Sequence, residues 1–343
     1  MNSMSKKNKY EIDMCNGSIM DKLISFSLPL MLSGILQLMF NAVDIVVVGR
    51  FSGSQALAAV GSTSALINMF TNLFIGVSLG ANVLAARFYA SGRSKEMSET
   101  VHTSITFALI SGIVMVFVGL FFSRFALELM ATPPDVINQA ALYMKIYFLG
   151  MPFFMLYNYG AAILRAVGDT KRPLFFLIAA GLINAGLNMV LVIVFHLGVA
   201  GVAIATVISQ LVSCVLVLRC LYQSDSSYQL RFSKLTLKKN HLKQIFQVGI
   251  PAGIQSTVIN FSNVLLQSSV NSFGSIAMAG YTAANNIFGF LFVAVNSVTQ
   301  ACMSFTSQNF GVGKWKRMDK VLWKCIILSV VVAVLLGGGA YIF

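Results

Sequence analysis

The sequence predicts an all-α polytopic membrane protein. Three observations carry this. The chain is 57% hydrophobic and 10% charged over 343 residues, where a soluble domain carries roughly 25% charged residues. Its apolar residues gather in nine runs, most of them long enough to cross a bilayer. Its Lys and Arg residues cluster in alternate connections between those runs, as cytoplasmic loops require.

The runs cover residues 24–51, 56–86, 100–123, 136–163, 173–195, 198–221, 244–272, 277–308 and 321–343. They are too long for strands and lack period-two alternation. The first follows a polar stretch with Lys6, Lys7, Lys9, Glu11 and Asp13 that has no signal-peptide core, so a retained helix is expected. Pro29 and Pro251 lie near the starts of runs one and seven, and Pro152 is expected to bend run four. Gly34, Gly76, Gly80, Gly181, Gly186, Gly198, Gly201, Gly249 and Gly253 suit close helix packing. Residues 224–243 read as a linker between two halves, 1–223 and 244–343, with room for a short amphipathic helix.

If every run crosses, one side carries nearly all the basic residues. Arg50, Arg124 and Lys145 alone fall to the other. This places the N-terminus in the cytoplasm. It also accounts for the net charge of +13 without a nucleic-acid partner. Cys15, Cys214, Cys220, Cys302 and Cys325 lie singly, with no metal-ligand spacing and no expected disulfide. No phosphate-binding loop and no nucleophile–base arrangement appears, so the chain does not read as an enzyme.

Run one carries one acid, Asp44, toward its far end, and Gln37, Asn41 and Asp44 share a helical face. A carboxylate at that depth costs about 2.5–3.5 kcal/mol on insertion scales unless water, a cation or a polar partner meets it. Asp44 is therefore either an ion site or a helix-packing residue. Further polar residues recur at helical spacing: Asn68 in run two, Asn184 and Asn188 in run five, Thr206 and Gln210 in run six, and Asn260, Asn263 and Gln267 in run seven. Each alone fits interhelical bonding. Together with Gln37 and Asn41 they suggest a hydrated cavity. Tyr143, Tyr147, Tyr157 and Tyr159 suit either cation stacking or the membrane interface.

Runs seven and eight repeat runs one and two. Ser27-Leu28-Pro29 matches Gly249-Ile250-Pro251, Asn41 matches Asn263, and the Arg87–Arg93 stretch matches Gln308–Lys314, at an offset of 221–222 residues. The offset spans six runs, as in parallel transporter halves. Three runs of the second half are present, so the chain is expected to be a C-terminally truncated form, inactive alone. Leu266 stands where run one has Asp44.

The Pro29…Gln37…Asp44…Gly49-Arg50 run, Ala56–Gly61, Gly201–Thr206, Ile250-Pro251-Ala252-Gly253 and Ser307–Gly311 occur in an order that resembles the multidrug and toxic compound extrusion (MATE) family. The resemblance implies a two-lobed bundle of twelve helices, nine of them present. It implies export of drug-like cations or amphiphiles from a bacterial cell (plasma) membrane against Na⁺ or H⁺, with no cofactor, and a monomer when full length. Asp44 resembles the family's coupling acid, Asn184 and Thr206 its partners, and Asn188 a position that is Asp in many members. No metal beyond Na⁺ at Asp44 is implied. Flipping of a lipid-linked sugar, known for related two-lobed proteins, is the alternative, but it would call for a cationic cavity. A membrane scaffold or receptor is the third class, disfavoured by the sparse extramembrane sequence.

Overall fold

The structure, a computed structural model, describes residues 10–130, 132–271 and 275–342. Within these spans, the side chains at 65, 260, 264–265, 267–268, 271, 275–279, 282–283, 286 and 341–342 lie outside the description.

In lipid a backbone must satisfy its own hydrogen bonds, and the apolar runs do so as helices. These are α1 (Ile19–Phe51), α2 (Gly53–Ala90), α3 (Ser94–Leu129), α4 (Pro134–Leu149), α5 (Met151–Ala166), α6 (Lys171–Asn188), α7 (Gly198–Tyr222), α8 (Lys239–Asn271), α9 (Ser275–Gly311) and α10 (Trp315–Ile342). No strand occurs among the described residues. Several helices outrun their apolar stretches, because polar first turns such as Ser94–Thr100 of α3 continue the helix beyond the apolar run.

Among the described residues, seven helical stretches are long and apolar enough to span a membrane. The bent pair α4–α5 makes an eighth. The remaining run, run seven (α8), is as long as α1 but falls short in hydropathy, because its polar stripe dilutes it. Run four is broken rather than merely curved. Gly150 separates α4 from α5, Pro152 stands near the start of α5, and the two axes bend by 48°. Run five leaves α-geometry at Asn188 and continues as a π-helical turn, Met189–Val194. The linker holds a single three-residue 3₁₀ turn, Phe232–Lys234, in place of an amphipathic helix. It docks on α3: His102 Nε2 accepts from the Arg231 amide (3.1 Å), and Thr103 Oγ1 from the Lys238 amide (3.2 Å).

Two apolar cores form. One joins α2 through α7, with Tyr159, Phe148 and Met155 fully buried. The other joins Met14, the start of α1, α9 and α10, where Phe26 meets Phe305 edge-on at 5.7 Å. The halves meet where α2 packs on α8 and α9, and α1 on α9. At the α2–α8 crossing, glycines bring the two backbones into close approach. A Cβ on Gly76 would strike the Gly253 backbone, one on Gly80 the Ile245 carbonyl, and one on Gly249 the backbone of Val77. These crossings lie toward the end of the molecule that carries the basic loops, hereafter the basic end. Toward the other end Met39, Asn41, Val258, Phe261, Leu266 and Phe288 are exposed.

Candidate functional site

α1 carries Asp44 about two turns before its C-terminus, half-buried, where α1 crosses α6. The Asn188 side-chain amide donates to Asp44 Oδ1. The same amide donates to Asn184 Oδ1 (3.2 Å), one turn back along α6. Asn184 Nδ2 reaches Thr206 Oγ1 on α7 (3.5 Å), and that hydroxyl donates to its own Val202 carbonyl (2.9 Å). Asp44, Asn188, Asn184 and Thr206 thus form one hydrogen-bonded chain across three helices. Asn188 sits at the last α-helical position before the π turn, a local widening that re-aims neighbouring side chains.

The chain is rich in oxygen acceptors. Asn188 Oδ1 is buried and has no donor among the described residues. A carboxylate, two amide oxygens and a hydroxyl together make an all-oxygen set that suits a hard cation or a proton shared with the carboxyl. No group of three or more His, Cys, Asp or Glu with metal-binding geometry occurs among the described residues.

The other polar positions divide. Gln210 lies inside the first core, between Gly150 and Tyr147. Gln37, Asn41, Asn68 and Asn263 are exposed and join no hydrogen bond to the Asp44 chain among the described residues. Gln37 and Asn41 therefore do not act with Asp44 as one bonded stripe. Asp44 turns to α6 while they remain open, and Gly34, on the same helix, packs against Val293 of α9. The side chains of Asn260 and Gln267 lie outside the described residues. Tyr143 and Tyr159 are buried in the first core, Tyr143 and Tyr147 tilt against each other at 6.1 Å, and Tyr157 donates to the Pro173 carbonyl (3.2 Å). None of these four is exposed as an interface anchor would be.

Two polar clusters escaped the sequence. Asp169, fully buried in the α5–α6 turn, pairs with Arg172 and accepts from the Arg172 amide (3.1 Å) at the start of α6. Burial pushes the Asp169 carboxyl up, and Arg172 beside it pulls it back down. The signal available was Gly168-Asp169 after an apolar run: Gly168 has φ +96° and approaches the Ile12 backbone. In the second cluster, Asn82 of α2 donates to the Ala162 carbonyl (2.9 Å) and accepts from Ser304 of α9 (3.0 Å).

The MatE family model matches residues 29–190 and 251–343. The chain belongs to the MatE family. The probable multidrug resistance protein YoeA of Bacillus subtilis is 31% identical over 327 residues, which cover 93% of this chain and 70% of that relative. The multidrug export protein MepA of Staphylococcus aureus is 24% identical over 314 residues, covering 90% of this chain and 68% of MepA. A MATE family transporter of the MOP superfamily, solved in an outward-facing conformation, superposes with a TM-score of 0.87 at 21% identity, over 98% of this chain and 74% of its own. As a MatE family member the chain is a multi-pass membrane transporter rather than an enzyme.

Proposed function

We propose that the chain exports cationic or amphiphilic drug-like compounds from a bacterial cell, by alternating access, in exchange for Na⁺ or H⁺. Its relatives are named as multidrug resistance and multidrug export proteins, which supports drug-like compounds as the cargo. In this reading residues 1–223 and 244–343 are two lobes joined by the 224–243 linker. The basic end faces the cytoplasm, as the distribution of Lys and Arg favours.

The observation that carries the proposal is the hydrogen bond from Asn188 to Asp44, continued to Asn184 and Thr206. A cation entering from the open end would meet the carboxylate and the unpartnered Asn188 oxygen together. A proton would instead neutralise Asp44 and remove the charge that orders the two amides. Either event changes how α1 is held against α6, and α1 also packs on α9 of the other lobe. Ion binding and lobe movement are thereby linked.

Asp44→Asn keeps shape and polarity but removes the charge. It is expected to express and fold normally while ion-driven efflux from loaded vesicles falls to background. Unimpaired efflux by that variant would remove Asp44 from the mechanism. Imposing a Na⁺ gradient and a pH gradient separately identifies the coupling ion.

A further inference from the structure

Residues 10–18 precede the first helix and read in sequence as part of a solvated tail, yet they are bound at both ends. Glu11 accepts from the hydroxyl of Tyr89 at the end of α2 and from that of Tyr228 in the linker, each at 2.7 Å. The Ile12 amide donates to the Gly168 carbonyl (3.3 Å) in the α5–α6 turn. Tyr89 and Gly168 belong to the first half of the chain, and Tyr228 to the linker segment that docks on that half. Three to six residues later the partners change. Asn309 of α9 donates to the Met14 carbonyl (3.1 Å), Lys314 to the Cys15 carbonyl (2.9 Å), and Arg317 of α10 to the carbonyls of Asn16 and Gly17 (3.0 Å each). The Met14 side chain is fully buried in the core of Leu23, Phe26, Phe305 and Val321.

We infer that residues Glu11–Gly17 are a strap that holds the basic-end mouth shut and must release one half before that mouth can open. The inference rests on the alternating-access reading for its purpose, but the strap itself is defined by its bonds. It crosses the line along which the halves would part, beside the Asn82–Ser304 contact. Separation of α2 from α9 would have to break either the Glu11–Ile12 bonds or the Met14–Gly17 bonds. The first set is smaller. It rests on one carboxylate held by two tyrosines, plus one long amide bond. The second set adds a buried methionine and two cations, so release at Glu11 is the cheaper route.

The experiment uses the full chain in vesicles, with the five cysteines replaced and Ser304→Cys as a reporter of the basic-end mouth. Labelling by a water-soluble maleimide applied at that end is expected to quicken about tenfold in Glu11→Ala, because lost charge-assisted bonds shift the closed–open balance by about one decade. Lys314→Ala, an exposed change at the other end of the strap, should act in the same direction. Unchanged labelling in both variants would overturn the inference. So would equal quickening at a reporter in the first core, such as Met155→Cys, because that marks unfolding. An Asn41→Cys reporter at the opposite end separates the two proposals. If Ser304→Cys quickens while Asn41→Cys is unaffected, the strap stands and alternating access fails. A reversible tether joins Asn16→Cys to Lys314→Cys through a reducible bifunctional reagent that replaces the reach of the lysine, whose Nζ donates to Asn16 Oδ1 (2.8 Å). Closing it should leave efflux intact if release occurs at Glu11, and efflux should drop to none when a second link, Glu11→Cys to Tyr228→Cys, is closed as well. Efflux that survives both links would overturn the strap.

Discussion

Asp44 has an amide for its partner rather than a cation. That amide is shared, since Asn188 also bonds Asn184. Asn188→Ala should therefore leave Asp44 and Asn184 unlinked, and cost about 1.5–3 kcal/mol of interaction with the charged form. Ion-driven efflux is expected to fall at least tenfold and the apparent ion affinity to weaken, measured by titrating the ion in the same vesicle assay. Asp169 presents the opposite case, a carboxylate with a full set of donors and a structural role. Asp169→Ala strands the largely buried Arg172 guanidinium, which typically costs about 3–5 kcal/mol. Its melting temperature in detergent should drop by several degrees with no change in ion preference. Asp44 was legible in the sequence because an acid within an apolar run has few explanations. Asp169 was not, because a Gly-Asp pair between two runs reads as an ordinary turn until its burial is known.

Among the elements, the α2–α8 crossing shows how position decides what a glycine is for. A side chain on Gly80 would meet the Ile245 carbonyl, whereas one on Gly61 of the same helix meets nothing within 4 Å. Gly80→Val should destabilise the protein and slow closure of the basic end, while Gly61→Ala should be neutral or slightly stabilising, since Ala favours helix by about 1 kcal/mol. Thermal melts of the two variants check the contrast. At the foot of α8, burial holds the His241 imidazolium below its usual 6.5, with Glu99 3.7 Å away pulling it up. The unfolded chain then takes up that proton first as pH falls. The stability contributed by neutral His241 is complete above about 6.5 and is lost below it. Melting temperature should decline more steeply below that pH in the parent than in His241→Gln. The helices themselves were legible from run length. The break at Gly150 was half legible through Pro152. The π turn at Met189–Val194 was not, because its residues are aliphatic and form a regular α-helix equally well.

At the scale of the whole molecule, α2 and α9 are bonded toward the basic end, and residues toward the other end of α1 and α8 are exposed. Asn41→Cys and Asn263→Cys should accept a water-soluble reagent from the side opposite the basic loops, whereas Asn82→Cys, buried against Ala162 and Ser304, should resist it from either side. Resistance at Asn41 and Asn263 would place those faces against lipid. The repeat of run one in run seven suggests two halves, but says nothing of how α2 meets α8 and α9. Lipid-facing and core-facing residues are both apolar, so hydropathy alone does not say which face of α1 or α9 meets a neighbour. The strap was hidden for the converse reason: a polar segment looks solvated until its bonding partners, about 80 to 300 residues away in sequence, are seen.

The seam between α2 and α8 joins main chain to main chain. Interlocked side chains must each find a rotamer when two surfaces come together, and each gives that order back when they separate. Gly76, Gly80, Gly249 and Gly253 have none to arrange. In the proposed alternating access, surfaces of this kind would part and rejoin with fewer side chains to refit than an interlocked seam, like a bearing. The speed of such a joint should depend on the membrane's viscosity more than on temperature-dependent repacking.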